Sequence, residues 1–142
     1  MIYEKSCGAV IFYEEGEKCF FLIEHMVKGH TSLCKGHVEG RETEHETAAR
    51  EIREETNLAV SFTEGFRECI EYSPYPGCMK EVVFFLAKAE SLEVSAQPEE
   101  VSRISWMTLD EALKALTHKS DREVLKKAAA YLGTNVGMDI LK

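Results

Sequence analysis

Residues 43–57 read TEHETAAREIREETN, a segment that carries a start, a period and a stop for one helix. Thr43 followed three residues later by Glu46 is a capping box, in which each residue satisfies a backbone N–H left open at a helix start. His45, Ala48, Ala49, Ile52 and Thr56 recur at helical spacing, so that side is expected to face a core. Asn57 tolerates the left-handed backbone that commonly ends a helix. The same period places Glu51, Glu54 and Glu55 together on one stripe, at i, i+3 and i+4.

Helix stability does not explain that stripe. Like charges at these spacings repel. Glu54 and Glu55 also fall in the last turn, where the helix dipole favours cations. Glu46–Arg50 and Arg50–Glu54 are i, i+4 pairs, but exposed pairs contribute only about 0.3–0.5 kcal/mol each. Glu51 has no basic residue three or four positions later. A hard divalent cation would reverse the conflict. Mg²⁺ takes oxygen ligands and typically shares one or two carboxylates with waters and substrate phosphates. The glycine-containing segment Lys35–Gly40 precedes the helix, where a backbone carbonyl could reach the metal and Lys35 could meet a phosphate as a point charge.

The rest of the chain supplies a small mixed fold. SCGAVIFY (6–13) and KCFFLIEHM (18–26) read as a hairpin across EEGE. Residues 27–42, with three glycines and no period, read mostly as loop. A strand is expected within 58–72 and another within 80–90, joined by the turn-rich SPYPGC, and a short one within 99–107. Thr108 with Glu111 and Ser120 with Glu123 are two further capping boxes; the second predicts a helix to Tyr131 with Gly133 as its C-cap. About three helices and mixed strands make one α/β domain over residues 1–142, with 134–142 as a flexible tail.

Composition narrows the chemistry. At 142 residues, 44% hydrophobic and 30% charged, the chain can bury a core. A net charge of −8 leaves no basic footprint for a nucleic-acid backbone, so nucleic acid is not an expected partner. Five scattered cysteines with no CxxC pair read as reduced thiols, and no long apolar run predicts a membrane span or leader, so the expected setting is cytoplasmic.

The stretch GHVEGRETEHETAAREIREETNL (36–58) resembles the Nudix box, the signature of hydrolases that cleave nucleoside diphosphates linked to another group. Gly36, Glu42, Arg50, Glu51, Ile52, Glu54, Glu55 and Leu58 match the pattern, and Asn57 stands where glycine is usual. The resemblance implies an α/β/α sandwich with a mixed sheet between helices. It implies that Glu51, Glu54 and Glu55 bind Mg²⁺ (with Mn²⁺ as a substitute), assisted by the Gly36 carbonyl. Arg50 would orient a neighbouring glutamate, and Glu42 would support the loop–helix junction. The implied reaction is attack of a metal-activated water on phosphorus. A box glutamate such as Glu54 or Glu51, or the distant Glu100 with Glu99 beside it, would serve as base.

KGHVEGRE (35–42), GFRECIEY (65–72) and KEVVFFLAK (80–88) are similar to segments of the asymmetrical diadenosine tetraphosphate hydrolases. By that resemblance Tyr72 would stack on adenine and Lys80 would contact the polyphosphate; beside them Lys35 could meet a phosphate oxygen and His37 could hydrogen-bond one. Leu33 and Cys34 stand where that subfamily has an aromatic residue and a proline, and Gly40 where it often has proline. The favoured substrate is diadenosine tetraphosphate, cleaved to ATP and AMP. An oxidised-nucleotide triphosphatase, an RNA 5′-end pyrophosphohydrolase and a non-catalytic nucleotide sensor are the alternatives.

Overall fold

The computed structural model of the chain describes residues 1–135, with side chains as far as Gly133. Its elements are β1 (Ile2–Glu15), β2 (Lys18–Met26), β3 (Thr31–Ser32), β4 (Cys34–His37), α1 (Glu44–Thr56), β5 (Val60–Phe62), β6 (Glu68–Tyr72), β7 (Cys78–Ala89), β8 (Val101–Met107), α2 (Leu109–Ala115) and α3 (Lys119–Asn135). The segment 134–142, read from the sequence as a tail, lies outside the described residues except for the backbone of 134 and 135, which continues α3.

β1 organises the sheet. It pairs in parallel with β7 from Ile2↔Cys78 to Phe12↔Lys88. On its other side it pairs antiparallel with β4 near its start and with β2 near its end. β5 and β6 pair with β7, and β3 and β8 with β2, so the sheet is mixed. Because β1 lies inside the sheet, alternate residues enter two cores. Val10 and Phe12 pack on one side with Leu116, Leu125 and Leu132 from the α2–α3 region. Ala9 and Ile11 pack on the other with Ala48 and Ile52 of α1. Helices therefore cover both faces of a mixed sheet, the layered α+β architecture that the resemblance implied.

Three local expectations change. Residues 27–42 are not mostly loop: β3 and β4 form there because β2 and β1 offer them partners, and a two- or four-residue strand shows no period of its own. The segment 58–72 holds two strands, parted by a turn at Gly65 with φ 90°. α3 begins at Lys119, one residue before Ser120, and runs through Gly133. Asp121 in its first turn is buried and accepts a long 3.5 Å bond from the Leu33 N–H, so a tertiary contact sits where the capping box was expected.

Candidate active site

Both ends of α1 follow from its sequence. Thr43 and Glu46 exchange the two capping-box bonds, and Asn57 takes φ 60°, ψ 24° with its N–H donating to the Arg53 carbonyl. The buried face is rotated from the expected one. Thr47, Ala48, Glu51, Ile52, Glu55 and Thr56 are buried, whereas Ala49 and His45 are exposed. His45 lies flat on Phe85 at 3.8 Å between ring centroids. That rotation turns part of the glutamate stripe inward, leaving Glu54 alone of the three exposed.

Arg50 ties the stripe together. Its Nε and Nη2 donate to the two Glu42 oxygens at 2.7 and 3.0 Å. Its Nη1 donates to Glu51 Oε1 at 2.8 Å and Glu54 Oε2 at 3.1 Å, and Nη2 also reaches the His37 carbonyl at 2.8 Å. Glu51, which has no basic residue three or four positions later in its helix, is thus held by its immediate neighbour. Glu42 also accepts from the Glu39 N–H and the Thr47 hydroxyl. The Arg50 guanidinium holds the Glu42 carboxyl at about 2.

A cleft of about 520 Å³ opens over this helix end. Glu51, Glu54 and Glu55 line one wall, and Lys35, Gly36 and His37 enter from β4. Lys80 comes from β7, and Glu99 and Glu100 from the segment before β8. The Glu100 carbonyl accepts from the Val27 N–H at 2.9 Å, which ties that segment to the end of β2. Burial, then the charge of Lys35, lowers the Lys80 pKa. His37 Nε2 is 3.9 Å from Glu4. Tyr72 is not among the cleft-lining residues; it lies opposite Lys80 in the β6–β7 register and is 39% exposed.

Beneath the wall is a layer that the sequence reading missed. Glu24 of β2 and Cys34 of β4 are buried against Glu55, and the Cys34 thiol donates to Glu55 Oε1 at 3.3 Å. Burial raises the pKa of all three, reinforced by Glu24 for Glu55 and by both carboxylates for Cys34. Ser6, also buried, lines the cleft with no partner for its hydroxyl. The available signal was Glu24 itself, a charged residue inside the apolar run FFLIEHM.

The wall suits a hard divalent cation. A Cβ at Gly36 would overlap the Glu51 carboxylate, so only glycine lets this carboxylate close on the β4 backbone. Three carboxylates beside that backbone supply the oxygen donors such an ion prefers.

The fold and the glutamate wall define a class. Residues 3–128 match the NUDIX domain, and the chain belongs to that family. It is 29% identical over 140 residues to the asymmetrical bis(5′-nucleosyl)-tetraphosphatase of Sus scrofa, covering 90% of this chain and 95% of that protein. It is 35% identical over 96 residues to an 8-oxo-(d)GTP phosphatase of Mycolicibacterium smegmatis, covering 68% of this chain and 29% of that protein. A crystal structure of a C. elegans Ap4A hydrolase binary complex matches with a TM-score of 0.84 at 29% identity, covering 92% and 98% of the two chains. Family and relatives class the chain as a hydrolase acting on phosphoric anhydrides, a group that generally uses a divalent metal. Among the described residues no helix is long and apolar enough to cross a membrane.

Proposed function

We propose that this chain is a cytoplasmic Mg²⁺-dependent hydrolase of dinucleoside polyphosphates, with diadenosine tetraphosphate as substrate and ATP and AMP as products. The observation that carries the reading is one cleft in which Lys35 and Lys80 accompany Glu51, Glu54 and Glu55. Carboxylates alone would repel a polyphosphate. Lysines and a cation-binding wall together suit one. The relatedness to asymmetrical tetraphosphatases over 90% of the chain supports the substrate.

Glu51, Glu54 and Glu55, with the Gly36 carbonyl, would hold Mg²⁺ or Mn²⁺. Such an ion, when bound, lowers the pKa of a coordinated water and offsets phosphate charge. The chain's own residues do the rest. Arg50 fixes the Glu51 and Glu54 carboxylates in place. Lys35 and Lys80 meet phosphate oxygens, and His37 extends that contact along β4. Glu54 and Glu100 are the exposed cleft carboxylates proposed to take the proton lost as water adds to phosphorus. The bridging oxygen then leaves with the other nucleotide. Tyr72, opposite Lys80, offers its ring to adenine. Free thiols at all five cysteines support a reducing compartment.

The test is product analysis with Mg²⁺ and a panel of diadenosine tetraphosphate, 8-oxo-dGTP, ADP-ribose and a 5′-triphosphate RNA. ATP plus AMP from the first, with the others slow, is the expected result. Faster turnover of 8-oxo-dGTP would favour the second reading, which the 35%-identical relative supports. Preference for the RNA would mark a 5′-end pyrophosphohydrolase. Binding without products would mark a sensor and overturn the enzymatic reading.

A further inference from the structure

Glu24, Cys34 and Glu55 bring three acidic groups from three elements to one buried point. One ligand atom from each lies within 4.8 Å of the others. The residues are 1%, 0% and 1% exposed. A buried carboxylate needs donors, and these three supply too few. The single Cys34 proton is already given to Glu55. With both carboxylates ionised, Glu24 Oε2 is buried with no donor, although Glu24 lies against Glu55 and Cys34. Native proteins seldom leave a buried acceptor in that state unexplained. A proton shared between the two carboxylates would satisfy one contact and no more. A cation offers several coordination positions at once and offsets both charges.

We propose that Glu24, Cys34 and Glu55 form a second, buried site for a thiophilic divalent ion, represented by Zn²⁺, beneath the glutamate wall. Sulfur selects against Mg²⁺ and for softer ions, and two carboxylates with one thiolate fall within zinc's ligand types. Binding exchanges the thiol proton, and any proton shared by the two carboxylates, for bonds to the metal, and the displaced protons leave to solvent through the cleft. Glu55 opens the path, because it lines the cleft as well as the buried group. Its two oxygens let it serve an ion on either side. That bridging role rests on the proposed function, whereas the buried site does not. Strands β2 and β4 and helix α1 hold the three side chains, and rigid elements of this kind preorganise a metal site.

The probe is Co²⁺ added to the metal-free, reduced full chain in excess Mg²⁺, read by the near-ultraviolet thiolate-to-cobalt charge-transfer band. The band is expected at one ion per chain, retained in Cys69→Ser, lost in Cys34→Ser, and reversed by Zn²⁺. Glu24→Gln should weaken Co²⁺ binding by at least about tenfold, since even indirect supports of a metal site cost 10–100-fold. No band in the wild type, or a band unchanged by Cys34→Ser, would overturn the site. Circular dichroism checks folding. If Cys34→Ser fails to fold, unchanged Co²⁺ affinity in Glu24→Gln overturns the proposal by itself. Mg²⁺-dependent nucleotide turnover is measured separately, so each reading stands or fails alone.

Discussion

Arg50 and Glu42 meet through two parallel bonds, Nε to Oε2 at 2.7 Å and Nη2 to Oε1 at 3.0 Å, across the junction between β4 and α1. The pair anchors the same guanidinium that reaches Glu51 and Glu54. A two-point fork fixes orientation as well as charge, which an ammonium cannot do. Arg50→Lys is therefore expected to lower metal affinity or kcat/KM by about 10–100-fold with the fold retained, the range for residues that orient metal ligands. Metal titration and steady-state kinetics on the folded variant check it.

Acid should undo this junction. Glu42 is held at about 2 against an ordinary 4.5, chiefly by its bonds from Arg50. A depressed carboxyl stabilises the fold fully above its ordinary value and loses that contribution as pH falls towards the folded one. Stability should therefore decline between pH 4.5 and 2, and Glu42→Gln should flatten part of the decline. Glu44, held at about 2 by Arg67 and then Lys5, supplies a separate part that the variant leaves intact. Thermal melts across that range give the comparison. An identical acid limb in wild type and Glu42→Gln would remove the ion pair from the account.

Metal should raise the melting temperature. An ion that binds only the folded chain adds about 2.7 kcal/mol at a hundredfold excess over its Kd. Mg²⁺ or Mn²⁺ should stabilise the wild type, and Glu54→Gln should reduce both that shift and turnover. Activity left intact in both Glu54→Gln and Glu55→Gln would rule out the wall as the metal site.

Gly36→Ala tests the approach of β4 to α1. The added methyl would occupy the place of the Glu51 carboxylate. Overpacking of this sort costs about 1–3 kcal/mol. The expected outcome is a folded protein with a lower melting temperature and a Glu51 displaced from the metal, seen as weaker Mn²⁺ binding. Wild-type metal affinity would show that Glu51 need not sit there.

Tyr72 and Glu100 separate binding from chemistry. Tyr72→Ala should raise KM for adenine-bearing substrates with little change in kcat, since an aromatic face adds about 1–3 kcal/mol per base. Glu100→Gln should lower kcat while leaving the metal-induced stabilisation intact. An unaltered rate in Glu100→Gln would move the proton acceptor to Glu54.

The sequence alone determined α1, its two caps and the membership of the glutamate stripe. Each depends on residues no more than four apart, and those side chains meet on any helix. Thr43, Glu46 and Asn57 behave as their local chemistry requires. Tertiary structure decided what the stripe became. The rotation that buries Glu51 and Glu55 comes from packing α1 on the sheet, and the helical period cannot show it. β4 exists because β1 offers a partner from Ser6↔His37 to Ala9↔Cys34. Only that pairing carries Lys35, Gly36 and Cys34 to α1, and only β7 carries Lys80, more than forty residues after Lys35, to the same cleft. Glu24 and Glu55 are separated by most of that distance in the chain and meet where each is only 1% exposed. Burial and contact between distant segments are properties of the packed chain, so a local reading finds the carboxylates but not the depth at which they sit.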